Sequence, residues 1–444
     1  MTSLREERFL NLKAVVLQTG LKPDTLRAWE RRYGLPAPAR SEGGHRLYSQ
    51  RDIDCIKWLM ARQAEGLAIK RAVQLWRQIE AEGRDPLQPT AAIPGQGSRL
   101  PSPAPVGDEI SHLREDWLDA CLLYEEAKAE QVLVQAFALY PPEAVVLELL
   151  QPALAKVGEG WYRGQVTVQQ EHFCSALVVR RLEALALAAP APTEAGSILA
   201  ACPPQENHTI GLLLLTYLLR RRGWHVVYLG ANVPAERLET TIAATGPHLA
   251  ILAAQRLHTA ATLVDVAEVL QRWGIPTAYG GLVFNRYPEV RERIPGHFLG
   301  ERLDAAPMAV ETLMTAPPLL RRAEKTPEEY LSAHDHFLER QRSIEAHLAE
   351  DLSAMDMPPD YRSIANQELA LNIAAALRLG SMDLLGKEIQ WTQGLIRNHG
   401  LPEPALHGYL AGYLDNARKD LDERGRLVVA WLEGLVRAEP GLAS

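Results

Sequence analysis

Five short apolar runs, at residues 197–201, 225–229, 249–254, 277–279 and 297–299, alternate with longer stretches in which apolar residues recur every three or four positions. That alternation predicts a doubly wound parallel sheet of α/β class, with ligands bound beyond the carboxyl ends of the strands. On either side of it the periodicity is helical. Residues 109–136 and 142–187, interrupted at 140–142 and 158–164, predict about four helices. Residues 327–351, 364–379, 382–399 and 404–437 predict a further helical region, interrupted at 356–359, 380–381 and 400–404. Near the N terminus, residues 12–17, the turn Thr19-Gly20-Leu21 and residues 23–33 predict helix, tight turn, helix, with Leu26 and Trp29 facing inward. A glycine-tipped hairpin over 40–48 and a supporting helix over 50–63 follow.

Composition refines this into domains. At 444 residues the chain has room for about three. Between 84 and 105 it collects Pro86, Pro89, Pro94, Pro101, Pro103 and Pro105 with Gly95, Gly97 and Ser98, which predicts a flexible, partly extended tether. Charge divides along the same line: residues 1–78 carry 15 Lys+Arg against 8 Asp+Glu, a net +7 in a chain of net −8, leaving −15 for the rest. The N-terminal end therefore faces a polyanion. Cys55, Cys121, Cys174 and Cys202 have no Cys-x-x-Cys spacing and predict reduced core residues. No run of about 20 apolar residues and no basic-then-apolar leader occurs, so a cytoplasmic protein without membrane contact is expected.

The most informative chemistry lies in Glu206-Asn207-His208-Thr209-Ile210-Gly211, between the first apolar strand and an apolar helix. Gly211 lets a large group approach the backbone, and Glu206 is near enough to orient the His208 imidazole and raise its basicity as a metal ligand. Three further loops, containing Gly230, residues 253–255 and Gly280-Gly281, follow other strands at the same edge. No Gly-x-Gly-x-x-Gly turn follows the first strand, which disfavours a nicotinamide or flavin. The spacing resembles that of cobalamin-binding Rossmann-like domains, which read Asp-x-His-x-x-Gly, then Ser-x-Leu, then Gly-Gly. The resemblance implies that His208 is the lower cobalt ligand, the metal-binding residue of the chain. It also implies that Glu206, Gly211, Gly230, Ala253, Gly280 and Gly281 line the cofactor and its tail. Ala253 and Gln255 stand where Ser and Leu are expected, which removes a hydroxyl that would contact the tail base.

The basic N-terminal segment contains Leu26-Arg27-Ala28-Trp29-Glu30-Arg31-Arg32-Tyr33-Gly34-Leu35 and Gly43-Gly44-His45-Arg46-Leu47-Tyr48. Both resemble the winged helix-turn-helix of the MerR family, whose second helix enters a major groove. The resemblance implies that Thr25, Arg27, Arg31, Arg32, Tyr33, Arg40, His45, Arg46 and Tyr48 contact double-stranded operator DNA, with Trp29 in the core and Glu30 bracing the arginines.

Trp161 and the pair Glu171-His172, nine residues on, resemble the cap of photoreceptors of the CarH/LitR type, in which a helical bundle lies over adenosylcobalamin. By that resemblance Trp161, Val168, Glu171 and His172 cover the upper face of the cofactor. The residue after the tryptophan, histidine in the best-known members, is Tyr162, and a phenol with pKa about 10 is a poor cobalt ligand at neutral pH.

The expected organisation is thus multidomain α and α/β. A winged helix-turn-helix occupies 9–78, a linker 79–107, a four-helix cap 108–190, a Rossmann-like cobalamin domain 195–318 and a C-terminal helical domain 325–444. The expected function is not enzymatic: a light-responsive transcriptional regulator, acting as a repressor, that binds adenosylcobalamin and changes oligomeric state, dimer or tetramer, on photolysis. The alternative is a cobalamin- or tetrapyrrole-responsive regulator without photochemistry, or one with its input through residues 325–444. In that last region Trp391, His399, His407 and Tyr413 are the residues to inspect, and a packing or oligomerisation bundle is the plainer reading. An enzyme or corrinoid carrier is weaker, since neither needs an operator-reading head.

Overall fold

The computed structural model describes residues 10, 12–19, 21, 23–40, 46–64, 69–81, 85, 108–316, 320–351, 359–398 and 403–438. The hairpin tip with His45, almost all of the tether and His399 lie outside the described residues, as does the side chain of Arg40. The chain forms two compact units, Met1–Ala155 and Lys156–Ser444.

The first unit opens with α1 (Leu12–Thr19) and α2 (Pro23–Tyr33), then a two-stranded antiparallel wing of β1 (Ala39–Arg40) and β2 (Arg46–Leu47), then α3 (Gln50–Ala64) and α4 (Ile69–Ala81). Leu26 and Trp29 turn inward from α2 onto Val15, Ile53, Ile56, Leu59, Val73 and Trp76, so the helix offers its charged side outward. Next come α5 (Asp108–Leu122) and α6 (Glu126–Leu139), which pack against each other. They are separated at Tyr124, whose φ of 59° ends what the periodicity predicts as one run. After them α7 (Pro142–Ala144) runs through a π-helical stretch, Val145–Leu150, into α8 (Gln151–Tyr162).

In the second unit α8 ends at Tyr162, and α9 (Val168–Leu187) starts from a capping box. Thr167 Oγ1 accepts from Gln170 N at 3.2 Å, and Thr167 N donates to Gln170 Oε1 at 2.9 Å. The predicted break at 158–164 is therefore displaced: Gly158 and Gly160 stay helical. Gly160 is a notch, since a Cβ there would lie 2.6 Å from Val166 Cγ2.

The sheet contains β3 (Ser197–Ala201), β4 (His225–Gly230), β5 (Leu249–Ala253), β6 (Thr277–Gly280) and β7 (His297–Phe298), all parallel, in the order β4-β3-β5-β6-β7. Each of the five predicted runs becomes a strand, with ends within one residue. β3 and β5 are buried at every position, as central strands covered on both faces must be. The covering helices are α10 (Ile210–Arg221), α11 (Leu238–Thr245), α12 (Leu257–Arg272), the short α13 (Leu282–Arg286) and α14 (Ala306–Thr315).

The C-terminal region forms α15 (Glu328–Asp351), α16 (Pro359–Leu379), α17 (Leu384–Asn398), α18 (Glu403–Asp420) and α19 (Arg426–Ala438). The single helix expected over 404–437 is two, because Asp422 ends the run by accepting a bond from Arg424 N at 2.9 Å. These helices share one apolar core with the sheet: Leu252, Tyr279 and Phe284 are continuous with Phe337, Ile373 and Tyr413. Arg378 bridges α16 to Asp265 (2.8 Å) and Glu268 (3.0 Å) of α12, and Arg256 pairs with Glu368. All four cysteines are buried. Among the described residues, no helix is long and apolar enough to cross a membrane.

Candidate functional site

The loop after β3 puts Glu206 inside the protein and His208 outside it. Glu206 is fully buried, whereas the His208 side chain is 62% exposed. Glu206 Oε1 accepts from His208 N at 2.8 Å and from His208 Nδ1 at 2.7 Å. Its other oxygen accepts from Gln255 N at 2.7 Å and Thr259 Oγ1 at 2.6 Å. Burial alone would raise this carboxyl, but these four donors outweigh it and hold its pKa at about 2. The carboxylate therefore stays charged and fixes the proton of His208 on Nδ1. Nε2 is left as a lone pair facing outward, the tautomer that a metal-ligating histidine needs.

The other loops are tied to this one. Asn232, in the left-handed region at φ 53°, donates from its backbone N to Glu206 O at 3.1 Å and accepts at Oδ1 from Gln205 N at 2.8 Å. Cys202 N donates to Gly230 O at 2.9 Å. Gln255 Oε1 accepts from Leu282 N at 2.9 Å, linking the β5 loop to the start of α13. Gly281, at φ 128°, passes so close to the β5 loop that a Cβ would collide with Ala254 O, while Gly280 has open space on its side-chain face. Glu206, His208, Gly211, Gly230, Ala253, Gly280 and Gly281 are thus brought to one edge of the sheet. Ala253 is buried and paired with Gly280, so it contributes strand register.

A histidine with a free, exposed Nε2 and a charged carboxylate behind it suits a soft-edged metal such as cobalt, and the glycine-lined edge leaves room for a large planar group. The residues fit a cobalamin. Among the described residues no group of three or more His, Cys, Asp or Glu could hold a metal ion.

Trp161, Val168, Glu171 and His172 form a second group, at the turn from α8 to the first turn of α9. Val168 is 43% exposed at the helix start. Glu171 Oε2 lies 2.6 Å from His172 Nδ1, and its Oε1 accepts from Ser175 Oγ at 2.6 Å. Trp161 lies beside Trp391 of α17, with ring centroids 6.3 Å apart.

In the first unit, Arg27, Arg31 and Arg32 are exposed on α2, with Thr25 and Tyr33 half-buried. Tyr48 corrects the expected set of DNA contacts: it is fully buried, and its hydroxyl donates to Glu30 Oε1. Arg46 pairs with Glu30 Oε2 at 2.7 Å, so of the arginines that Glu30 was expected to brace it engages the one on the wing. Arg46 and Tyr48, two positions apart, share the face of the strand that looks onto α2.

Sequence reasoning passed over Thr259, His258 and Gln255 as partners. Thr259 stands 53 residues from the carboxylate it supports. His258 is buried with Nδ1 unpartnered, and burial, then the Arg256 charge, lower its pKa to about 4.

Residues 10–79 match the MerR HTH family regulatory protein family, and residues 113–186 and 196–308 match two families each described as a B12 binding domain. The HTH-type transcriptional repressor CarH of Myxococcus xanthus is 35% identical over 303 residues, which span 66% of this chain and 96% of that protein. This chain belongs to the CarH family of MerR-type regulators. The repressor CarA of Myxococcus xanthus is 32% identical over 279 residues, 62% of this chain and 86% of that protein. Among solved structures, the monomethylamine corrinoid protein of Methanosarcina barkeri matches 46% of this chain and 100% of its own, at 20% identity and a TM-score of 0.40. This CarH-family chain is therefore a transcriptional regulator that joins a MerR helix-turn-helix to a cobalamin-binding domain, with a helical region C-terminal to both.

Proposed function

We propose that the chain is a light-responsive repressor that binds adenosylcobalamin with His208 as lower cobalt ligand and leaves its operator when the cobalt–carbon bond is broken. The observation that carries this reading is the Glu206–His208 pair, which presents Nε2 outward at the glycine-lined edge of the sheet. When bound, adenosylcobalamin supplies a cobalt–carbon bond that visible light cleaves.

The chain's own residues do the rest. Glu206 holds the imidazole tautomer, Gly230 and Gly280 give the corrin and its tail room to approach, and Gly281 lets the loop after β6 seat against Ala254. Trp161 and Val168 cover the opposite face as an apolar wall, and Glu171, held by Ser175 and His172, accepts hydrogen bonds from the adenosyl ribose. Trp161 and Glu171 would make these contacts only in the closed cap, so a cap that lost them would be less stable and the populations of its two states would shift. Arg27, Arg31 and Arg32 grip operator DNA, and the dark form is a homo-oligomer whose assembly the cap controls.

Operator binding and particle mass, measured together on full-length protein loaded in the dark and again after green light, test the reading. An oligomer that binds operator in the dark and dissociates from both on illumination is expected. Binding that depends on cobalamin but is indifferent to light would favour a regulator without photochemistry.

A further inference from the structure

Helix α17 presents one face along its whole length to two parts of the cobalamin unit. Lys387, Glu388, Trp391, Gly394 and Asn398 recur at three- and four-residue spacing and so share that face. At its start, Tyr287 Oη donates to Glu388 Oε1 at 2.5 Å, Arg286 Nη2 donates to Lys387 O at 2.6 Å, and Lys387 Nζ donates back to Arg286 O at 2.8 Å. Arg286 ends α13 and Tyr287 caps it, and Gly281 caps the start of the same helix. At the other end, Trp391 stacks on Tyr162 with centroids 5.7 Å apart and planes 24° apart, and Asn398 Nδ2 donates to Tyr162 O at 3.0 Å.

The two surfaces are notched for each other. A Cβ on Gly394 would collide with Tyr162 Oη, and a Cβ on Gly164, at φ 71°, would lie 2.7 Å from Asn398 O. Loosely adjacent surfaces have no need of glycines at both points of approach. The rise from 387 to 398 is about 16 Å in a single helix, so one rigid element touches the loop edge and the cap turn together.

We propose that α17 is a strut that positions the cofactor-covering turn of the cap, Trp391, Gly394 and Asn398 holding residues 161–164 while Lys387 and Glu388 anchor the same helix beside the Gly280-Gly281 loop. The proposal rests on the reading that Trp161 faces the cofactor, and it makes the C-terminal helices a second party to cobalamin binding. Tyr162 then has a stated role: its ring stacks on Trp391 and its hydroxyl end lies over Gly394, so the side chain at this position packs against α17. Coupling is reciprocal, so whatever factor cobalamin contributes to α17 docking, α17 docking contributes to cobalamin affinity.

Hydrogen exchange on the full chain, followed over residues 160–166 and 384–398 without cobalamin and with adenosylcobalamin in the dark, tests this. Trp391→Ala is expected to speed exchange in both segments without cobalamin and to weaken cobalamin retention roughly 5- to 150-fold, the usual range of coupling. Trp391→Phe should restore both, which a general packing defect would not. In the unsubstituted protein, adenosylcobalamin should slow exchange over 391–398. Gly394→Ala is the second variant: alanine is favoured over glycine within a helix, so loss of docking there cannot be laid to a weakened α17. Unchanged exchange over 160–166 in both variants, or cobalamin that binds but leaves α17 unaffected, overturns the strut while leaving the proposed function standing. If the unsubstituted protein holds no cobalamin, the proposed function fails instead, and the cobalamin-free exchange still decides whether α17 holds the cap turn.

Discussion

Two buried titratable groups near His208, one held charged and one held neutral, are both kept deprotonated by the folded protein and so give stability of the same sign. Glu206, with its pKa lowered from 4.5 to about 2, contributes stability that is complete above 4.5 and lost as pH falls toward 2. His258, lowered from 6.5 to about 4, is buried neutral; its contribution is complete above 6.5 and lost as pH falls toward 4. Each shift corresponds to roughly 3 kcal/mol. Urea midpoints of the second unit should therefore fall in two steps between pH 6.5 and 2. Glu206→Gln should remove the lower step and cost about 1–3 kcal/mol at neutral pH, because donors from His208, Gln255 and Thr259 lose their charged acceptor. A midpoint in Glu206→Gln that still fell between pH 4.5 and 2 as it does in the parent would place that step elsewhere. At this scale the sequence carried the Glu206–His208 pair, whose members are two residues apart. It could not carry Thr259 or the Gln255–Leu282 bond, which exist only because separate strands deliver their loops to one edge. Tyr48 misleads in sequence because an aromatic in a basic wing suits a phosphate grip, while its place in the strand turns it onto Glu30.

Element by element, what could be read was what periodicity encodes. The apolar run of β3 and the continuous apolar run of α10, buried at every position from Leu212 to Leu219, place the sheet edge. Breaks were harder, because glycine ends a helix in one place and makes a notch in another, as Gly160 does against Val166. The true start of α9 is chemical: Thr167 and Gln170 satisfy each other's backbone donors. Thr167→Ala should lower the stability of that first turn by about 1 kcal/mol. Since Val168, Glu171 and His172 sit on it, cobalamin retention should fall with amide protection over 168–172; protection lost with retention unchanged would mean that this turn does not cover the cofactor. Gly281→Ala is expected to be severe, because both its φ of 128° and the collision with Ala254 O forbid a side chain. Loss of cobalamin retention, and with it of cobalamin-dependent operator binding by the full-length protein, is the expected pattern. The docking of α17 on residues 161–164 was illegible, since more than 220 residues separate the partners in Asn398 and Tyr162.

For the whole molecule, the charge split of +7 over residues 1–78 against −15 elsewhere confines DNA affinity to one end. Arg31 and Arg32 are exposed on the outward side of α2, whereas Arg46 is engaged by Glu30. Replacing Arg31 and Arg32 with Ala should weaken operator binding and flatten its log–log salt dependence by about 0.9 for each phosphate no longer neutralised. An unaltered slope would show that these arginines meet no phosphate. The central claim, that His208 presents Nε2 to cobalt in a light-sensitive cobalamin complex, is tested most directly by the absorption spectrum of purified protein with adenosylcobalamin before and after green light, run beside His208→Ala. The account predicts a bound, histidine-ligated spectrum in the dark that changes irreversibly on illumination, with weakened retention and an altered dark spectrum in the variant. A dark spectrum that light leaves unchanged, or a variant indistinguishable from the parent, would contradict it.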